Sequence, residues 1–298
     1  MSRYLIKDLE NLSGIKAHTL RIWEQRYNLL CPKRTDTNIR YYDEADLKLI
    51  LNVALLNEKG HKISKIASMT PECISEEVIK LTDRSLMHDD QIHSLTICMI
   101  EMDEEKFEKI LTTNIIKLGF EQTMLHVIYP FLTKIGVLWQ TGAINPAQEH
   151  FISNLVRQKL IVAIDGQVPS SDGKKFMLFL PEGELHEISL LFATYLIKSK
   201  GHKVIYLGQS TPKKDLDAVY ELHAPEFLLT VVTSVPVGDQ ANNYVEKLAR
   251  KFNEATLLVS GIQILDKEYT FSPNVHLLHN INDLKAQLES LEQVPIEK

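Results

Sequence analysis

Residues 16–42 read KAHTLRIWEQRYNLLCPKRTDTNIRYY, and this stretch decides the fold of the N-terminal part of the chain. Leu20, Trp23 and Tyr27 follow the spacing of one helical face, which predicts a helix over about residues 16–27 with these side chains inward. A turn-forming run with two short extended pieces comes next, and this pattern predicts a basic β-hairpin.

Helices are predicted on both sides of this stretch. Ile6, Leu9 and Leu12 repeat at helical spacing before a Ser-Gly break. Asp43 is a suitable N-cap for a further helix, which is expected to close near Gly60. The order of helix, tight turn, helix, basic hairpin and helix is that of a winged helix-turn-helix.

A polar face opposite the apolar stripe of the second helix is suited to DNA. His18, Arg21 and Gln25 lie on this face and would reach base edges if the helix enters a major groove. A second cluster is suited to phosphate contacts beside the groove. It consists of Arg26, Lys33, Arg34, Arg40 and Tyr41. For an isolated helix a solvated polar face is the simpler explanation, but the complete order of elements favours DNA binding.

The charge distribution agrees with a DNA-binding head on an acidic body. The whole chain of 298 residues has a net charge of −6. Residues 1–70 carry 12 Lys and Arg against 8 Asp and Glu, a net charge of +4, so the remaining chain has −10. Asymmetry of this kind is typical of proteins that contact nucleic acid through one segment.

The N-terminal segment resembles the DNA-binding domain of the MerR family. The resemblance is carried by TLRIWEQRY at 19–27, Pro32-x-Arg34-Thr35, Arg40-x-Tyr42 and Asp46-Leu47. It covers about residues 3–70 and implies a dimeric protein that binds and distorts promoter DNA. Family members often begin the second helix with Ser or Thr where this chain has Lys16, which lacks a capping oxygen.

Beyond the N-terminal segment, the spacing of the apolar residues changes once along the chain. Residues 89–167 show helical patterns only, which predicts a four-helix bundle. After the turn-forming run at 169–173, short apolar runs alternate with helix-length segments and predict an open parallel sheet with right-handed crossovers. These runs are 175–180, 204–207, 227–232, 255–259 and 275–278. A polar stretch at about 75–88 is predicted to be a linker.

The sequence therefore predicts a multidomain chain with α and α/β parts. The domains are a winged helix-turn-helix head at 1–74, a helical cap at 89–167 and a Rossmann-like, flavodoxin-like sheet domain at 174–293. No nucleophile–base–acid set, phosphate loop or hydrolase metal spacing is found, so no enzymatic activity is expected.

Two groups of residues in the body are candidates for ligand contacts. One is Gly136-x-x-Trp139-x-x-Gly142, followed by Glu149-His150. The other is Glu184-x-His186, just after the first strand, where ligands of open α/β sheets bind. An imidazole offers one nitrogen to a metal while a nearby acid orients the other nitrogen. Taken singly, each residue has a simpler explanation as core, surface or helix start.

Together these residues resemble cobalamin-binding modules, in particular the light-responsive MerR-type repressors of the CarH kind. The resemblance spans about residues 3–290 and implies adenosylcobalamin as the cofactor. It implies that His186 ligates cobalt from below, and that Trp139, Glu149 and His150 line the upper face near the adenosyl group. The acid-x-His-x-x-Gly loop of the fold is matched by Glu184, His186 and, imperfectly, Ser189.

The chain departs from the family pattern at several positions. The loop glycine is Ser189, the Ser-x-Leu/Val of the third strand is Thr230-Val231-Val232, and the Gly-Gly after the fourth strand is Ser260-Gly261. Small residues here let the nucleotide tail of the cofactor approach the backbone. Gln140 stands beside Trp139, where some light sensors carry a second histidine.

The function predicted is a homo-oligomeric transcription repressor whose assembly and DNA affinity are controlled by adenosylcobalamin, with light as a further input. One alternative is a regulator with a degenerate pocket, controlled by another ligand or a partner protein. A second alternative, a corrinoid methyl-carrier module, is disfavoured by the basic head and the lack of a catalytic domain. A cytoplasmic location is expected because no apolar run reaches membrane-spanning length and the three cysteines are widely spaced.

Overall fold

A computed structural model describes residues 4–35, 38–84, 88–140, 144–237, 239–265 and 269–292. The chain forms two compact units, Met1–Leu155 and Val156–Lys298. The three domain ranges predicted from the sequence stay a prediction.

The N-terminal part of the first unit has the predicted order of elements. They are α1 (Ile6–Ser13), α2 (Ala17–Tyr27), β1 (Lys33–Arg34), β2 (Arg40–Tyr41), α3 (Glu44–Glu58), α4 (Ile63–Ile66) and α5 (Pro71–Arg84). The two short strands pair antiparallel and form the expected hairpin. Leu9, Leu20 and Trp23 are buried, so the predicted apolar stripes face the core.

The start of α2 is capped from another helix. Lys16 supplies no capping side chain, as expected. Glu10 of α1 takes this role, because its carboxylate accepts the backbone N–H of Ala17 at 3.1 Å and pairs with the Lys16 ammonium at 3.1 Å. A cap supplied by the preceding helix satisfies one orphan donor and fixes the turn between the two helices.

Helix α3 begins at the predicted N-cap. The Asp43 carboxylate accepts the N–H of Asp46 at 3.0 Å, and the Asp46 carboxylate accepts the N–H of Asp43 at 3.1 Å. This reciprocal pair satisfies two backbone donors at once. Gly60 lies two residues beyond the helix with a φ of 89°, a left-handed conformation that closes the chain as predicted.

The linker predicted at about 75–88 is wrong over residues 75–84, which belong to α5, and at His88, where the next helix begins. Ile74 and Val78 lie one turn apart and are buried, so this helix has an apolar face despite its polar composition. The Thr70 hydroxyl accepts the N–H of Cys73 at 3.3 Å near its start. Residues 85–87 lie outside the described residues.

The remainder of the first unit and the start of the second form the predicted set of four helices. They are α6 (His88–Glu101), α7 (Glu104–Leu118), a run of α8 (Phe120–Thr123), a π-helical turn (Met124–Ile128) and α9 (Tyr129–Gln140), and finally α10 (Pro146–Asp165). Buried side chains from all four helices form an apolar core, including Leu95, Phe107, Phe131 and Ile152.

The second unit contains the parallel sheet. Its further elements are β3 (Lys175–Phe179), α11 (Ile188–Ser199), β4 (Lys203–Gly208), α12 (Lys213–His223), β5 (Phe227–Val231), α13 (Asp239–Lys251), β6 (Thr256–Ser260), α14 (Ile262–Leu265), β7 (Val275–Leu277) and α15 (Ile281–Glu292). All five strands pair in parallel, in the order β4-β3-β5-β6-β7. This is the doubly wound, flavodoxin-like order that the sequence predicts.

The strand order reverses between β3 and β5. The chain leaves β3 toward β4 on one side and leaves β5 toward β6 on the other, so the loops after β3 and β5 diverge. Such a switch point opens a crevice at the carboxyl ends of the strands, where ligands of this fold class bind.

Gly261 follows β6 and is required by the backbone. Its φ is 110°, and a Cβ atom there would lie 2.3 Å from the carbonyl oxygen of Val232. The loop after β6 therefore passes directly over the end of β5, and the N–H of Val232 donates to the Ser260 carbonyl at 2.8 Å. No side chain fits in this crossing.

Candidate functional site

A buried carboxylate joins the two loops at the switch point. Glu184, in the loop after β3, is fully buried. Its Oε2 accepts the backbone N–H groups of Thr233 and Val235 at 3.0 and 3.2 Å, together with that of Ser234 between them. Its Oε1 accepts N–H groups from its own loop, those of Leu185 and His186. Five backbone donors therefore surround one carboxylate.

This environment keeps Glu184 ionised. Burial raises the pKa of Glu184, but the hydrogen bonds from the Ser234 backbone and from the His186 side chain and backbone outweigh it and lower the pKa to about 2. Hydrogen bonds to the charged form stabilise that form. Glu184 is thus an anion at neutral pH.

The Glu184 carboxylate orients His186. The Nδ1 of His186 lies 2.6 Å from Glu184 Oε1 and 3.0 Å from the Ser234 hydroxyl. Because an ionised carboxylate only accepts, Nδ1 carries the proton and the lone pair of the neutral ring is on Nε2. The side chain is 64% exposed, so Nε2 is open to a ligand. An acid–histidine pair of this kind is a common arrangement behind a metal-bound imidazole.

A second buried carboxylate, three residues after Glu184, holds the same loop. Glu187 is ion-paired with Arg157 of α10 and accepts the hydroxyl of Tyr206 at 2.8 Å. Burial and this hydrogen bond raise the pKa of Tyr206, so Tyr206 remains a donor. These contacts could not be predicted from the sequence, since the partners of Glu187 lie 19 and 30 positions away and no local pattern marks them.

The other candidate cofactor residues of the second unit have different environments. Ser189 is exposed on the first turn of α11. Thr230 and Val232 are fully buried, and the Thr230 hydroxyl has no hydrogen-bond partner among the described residues. The Ser260 hydroxyl, in contrast, has a hydrogen-bond partner, because it donates to the carbonyl oxygen of Leu278 at 2.8 Å.

A further unpartnered hydroxyl lies on the same side of the sheet as Thr230. Successive residues of a strand point to opposite faces of the sheet, so Thr230 shares its face with Leu228 and Val232. Both of these residues belong to the apolar core that packs against α13. Tyr244 of α13 packs against this core, and its hydroxyl is also buried without a partner among the described residues. Buried hydroxyls usually find a partner, so two unpaired ones in one apolar layer are unusual.

The candidate residues of the helical cap lie in the first unit. Trp139 ends α9 and is 47% exposed, although an apolar helix would ordinarily bury it. Glu149 and His150 lie in the first turn of α10, with His150 Nδ1 2.8 Å from the Glu149 carboxylate. His150 is exposed. Gly142 of the cap motif lies outside the described residues, and so does the side chain of Gln140.

The predicted DNA-contacting face of α2 is open to solvent. His18, Arg21 and Gln25 are exposed, and Arg26 lies over the ring of Tyr27 with 5.5 Å between the guanidinium carbon and the ring centre. The structure therefore presents the three side chains together on one helix, opposite the buried stripe.

The hairpin residues are held by specific partners. Arg34 donates to the side-chain oxygen of Asn38 at 2.6 Å, and Lys33 is ion-paired with Asp43. Arg40 lies 3.6 Å from the Glu24 carboxylate of α2 and remains partly exposed. Tyr41 is half-buried. These contacts fix the hairpin and leave basic groups at its surface.

Two family models match separate segments of the chain. Residues 4–73 match the MerR HTH family regulatory proteins, and residues 91–163 match the B12 binding domain. The first segment is the winged head, and the second contains the helices with Trp139, Glu149 and His150.

Two curated relatives match the chain over most of their length. The chain is 27% identical over 243 residues to the HTH-type transcriptional repressor CarH of Myxococcus xanthus, covering 79% of this chain and 81% of the relative. It is 27% identical over 268 residues to the repressor CarA of the same organism, covering 86% of both. The chain is homologous to CarH and CarA. A MerR-type head with a B12-binding domain supports a cobalamin-responsive DNA-binding regulator, as predicted.

A solved structure shows the same fold. The monomethylamine corrinoid protein of Methanosarcina barkeri matches with a TM-score of 0.51 and 13% identity, covering 72% of this chain and 99% of that protein. This likeness confirms the helical and Rossmann-like architecture of the chain. No helix in the described part of the chain has the length and apolar character needed to cross a membrane.

Replacing Glu184 by Gln should remove a pH-dependent part of the stability. The folded pKa of about 2 lies below the ordinary value of 4.5, so the carboxylate stabilises the fold above about pH 4.5 and this contribution is lost as the pH falls toward 2. The difference corresponds to about 3 kcal/mol at neutral pH. Urea unfolding of the variant, followed by circular dichroism at several pH values, should show a lower free energy that changes less with acid.

Glu182→Gln is the matched control, because Glu182 is an exposed carboxylate two residues earlier in the same loop. It should unfold like the wild type at every pH. Equal stability of the Glu184 variant and the wild type at neutral pH would contradict the assigned role of the buried anion.

Proposed function

We propose that this protein is a DNA-binding transcription repressor whose assembly and DNA affinity are controlled by adenosylcobalamin. The observation that carries the proposal is the pair formed by buried, ionised Glu184 and exposed His186 at the switch point of the sheet. Glu184 holds the Nδ1 proton and leaves Nε2 free to donate its lone pair to a metal. The homology to CarH and CarA supports the same reading.

The residues of the second unit fit a corrinoid cofactor. Bound adenosylcobalamin would supply a cobalt centre that accepts an imidazole nitrogen, together with an adenosyl group that light can release. His186 would provide that nitrogen. The unpaired, buried hydroxyl of Thr230 would donate to the nucleotide tail of the cofactor, which would satisfy a group that the protein alone leaves without a partner.

The substitutions at the small-residue positions are compatible with this fit. The hydroxyl of Ser260 is directed to the carbonyl of Leu278, and Ser189 is exposed at the start of α11. Thr230 keeps the hydroxyl that serine supplies in the family pattern and adds one methyl group. Each change adds little volume to the pocket and removes no donor.

The resemblance to cobalamin-binding modules assigns three residues of the helical cap to the adenosyl group. Trp139 presents a large apolar surface, and Glu149 with His150 provides polar groups on the first turn of α10. An adenosyl group offers an aromatic face and hydroxyl groups, so these side chains match its chemistry.

Contacts inside the first unit provide a route from the cap to the head. Lys59, just after α3, pairs with the buried carboxylate of Asp90 of α6 at 2.7 Å, and Lys48 of α3 pairs with Glu101. Gln148, next to Glu149 in sequence, donates to Glu44 at the start of α3 at 3.5 Å. A shift of α10 would therefore change the contact between Gln148 and Glu44 and could move α3, the helix that follows the hairpin.

DNA binding should depend on the exposed face of α2 and on the hairpin. Arg21→Ala should weaken binding to the operator by about 1–3 kcal/mol if Arg21 contacts a base, with reduced discrimination at that base. Arg34→Ala should weaken binding to all sequences and flatten its salt dependence, because it removes a phosphate contact. Gel-shift titrations at several salt concentrations measure both effects.

Lys117→Ala is the matched control for the DNA-binding variants, since it removes one exposed positive charge from α7. Its affinity should equal that of the wild type. If Arg21→Ala and Arg34→Ala also bind like the wild type, the assigned DNA surface is wrong.

His186→Ala should weaken the retention of adenosylcobalamin or change the spectrum of the bound form, because the imidazole nitrogen that would ligate cobalt is removed. The measurement is the absorbance spectrum after incubation in the dark and removal of free cofactor. His223→Ala is the control, since His223 is an exposed histidine of the same unit at the end of α12. Circular dichroism must show both variants folded. Unchanged spectrum and affinity in a folded His186→Ala protein would favour a regulator that works without this cofactor.

Cofactor binding should change the mass of the particle. We expect larger particles with adenosylcobalamin in the dark than without it, and smaller particles after green light. Joining several heads makes further DNA contacts intramolecular and can raise avidity about 10²–10⁴-fold. A ligand shifts assembly only by binding the associated form more tightly. Size-exclusion chromatography with light scattering measures the masses, and equal masses in all three states would exclude this control.

A further inference from the structure

The first unit contains a cavity that is separate from the residues assigned to DNA and to cobalamin. Its volume is about 370 Å³, within the range of small-molecule sites. Helices α3 and α5 of the winged head form one side of it, and α6 and α7 of the bundle form the other. Neither the hairpin, the exposed face of α2, Trp139 nor His150 contributes to its lining.

A buried amide faces this cavity. Asn52 lies in the middle of α3 among leucine, isoleucine and valine side chains and is only 3% exposed. No hydrogen bond joins its side chain to another residue in the described ranges. Burying an amide without a partner is costly, and most buried polar side chains are paired. A polar ligand group in the cavity would give this amide its partner.

Positive charge surrounds the same cavity. Lys48, Lys106 and Lys109 line it, and the two acids in the lining are already engaged. The Glu101 carboxylate is shared between Lys48 and Lys106, the latter at 3.6 Å. The Asp103 carboxylate caps α7 by accepting the N–H of Lys106 at 2.9 Å. The lining therefore carries three ammonium groups and two carboxylates, a net charge of +1, and this balance favours an anionic ligand.

An apolar wall completes the cavity. Ile97 of α6, Ile110 of α7 and Val78 of α5 contribute to the lining and are otherwise buried. A ligand with only a charged group would leave this wall uncovered. The lining therefore fits a molecule that combines one anionic group with a compact apolar body.

We propose that this cavity is a second effector site that binds a small organic anion, a carboxylate or a phosphate ester with a compact apolar part. The anionic group lies against Lys106 and Lys109, the Asn52 amide donates to it or to an adjacent oxygen, and the apolar part covers Ile97 and Ile110. Because the ligand contacts α3 and α5 on one side and α6 and α7 on the other, it stabilises the packing of head against bundle.

The test adds each of four probes to the full chain in the absence of cobalamin. Binding is measured by ligand-observed NMR and calorimetry. Phenyl phosphate and benzoate carry both features, whereas benzamide lacks the charge and inorganic phosphate lacks the apolar body. We expect phenyl phosphate or benzoate to bind more tightly than benzamide and inorganic phosphate. Equal binding of all four probes, or no binding of any of them, would overturn the proposal.

Two variants locate the site. Lys106→Gln should weaken binding of the anionic probe about tenfold or more, which is the loss of one charge-assisted hydrogen bond. Asn52→Leu, of similar size, should remove binding by replacing the amide with an apolar group. Lys117→Gln is the matched control on the same helix, outside the lining, and should bind like the wild type. Equal affinity of all three variants and the wild type would show that the probe binds elsewhere.

The cobalamin proposal is tested separately in the same experiment. His186→Ala should bind the anionic probe like the wild type, and added adenosylcobalamin should not compete with it. If the probe is lost in His186→Ala or displaced by the cofactor, it occupies the cofactor site and the second site is refuted. Failure of His186→Ala to affect cobalamin binding would leave the result for the cavity unchanged.

Discussion

The second unit depends on one buried negative charge. An isolated carboxylate in a protein interior is strongly unfavourable, and it is tolerated only when its oxygens are fully hydrogen-bonded. Glu184 meets this condition with five backbone N–H groups from the loops after β3 and β5. In a parallel sheet these loops diverge at the switch point, so nothing in the strand pairing holds them together. The carboxylate supplies that connection and at the same time sets the orientation of His186.

A related principle operates in the first unit, where charged pairs join the head to the bundle. Asp90 is almost completely buried and pairs with Lys59, so removing either partner would leave an uncompensated charge. Ion pairs of this type add little net stability compared with apolar contacts, but they form only when the two helices are aligned at one position. They tie the end of α3 to the start of α6 at a defined position. A regulator needs such defined contacts, because a signal passes only through elements that adopt discrete arrangements.

The order of elements could be predicted from the sequence because it rests on local periodicity. The stripes of α1 and α2, the Asp43 cap of α3 and the five apolar runs of the sheet are all short-range patterns, and the structure confirms them. Helix α5 was missed because its apolar positions are few and its composition is polar. The partners of Glu184 and Glu187 were missed because they lie up to 51 residues away. Only the topology, in which the loops after β3 and β5 meet at the switch point, indicates them.

The candidate residues of the cofactor pocket differ in how strongly each of them supports a bound ligand. Gly261 is required by this fold alone, since any side chain would collide with the backbone of Val232, so it carries no information about a ligand. Ser260 is likewise explained by its bond to Leu278. Thr230 is different, because a valine would fill the same space without burying an unpaired hydroxyl. A costly group that the fold does not need is best explained by a partner that binds there. Thr230 thus supports the cofactor together with the Glu184–His186 pair, because packing alone would select neither an unpaired buried hydroxyl nor an exposed imidazole held in place by a buried carboxylate.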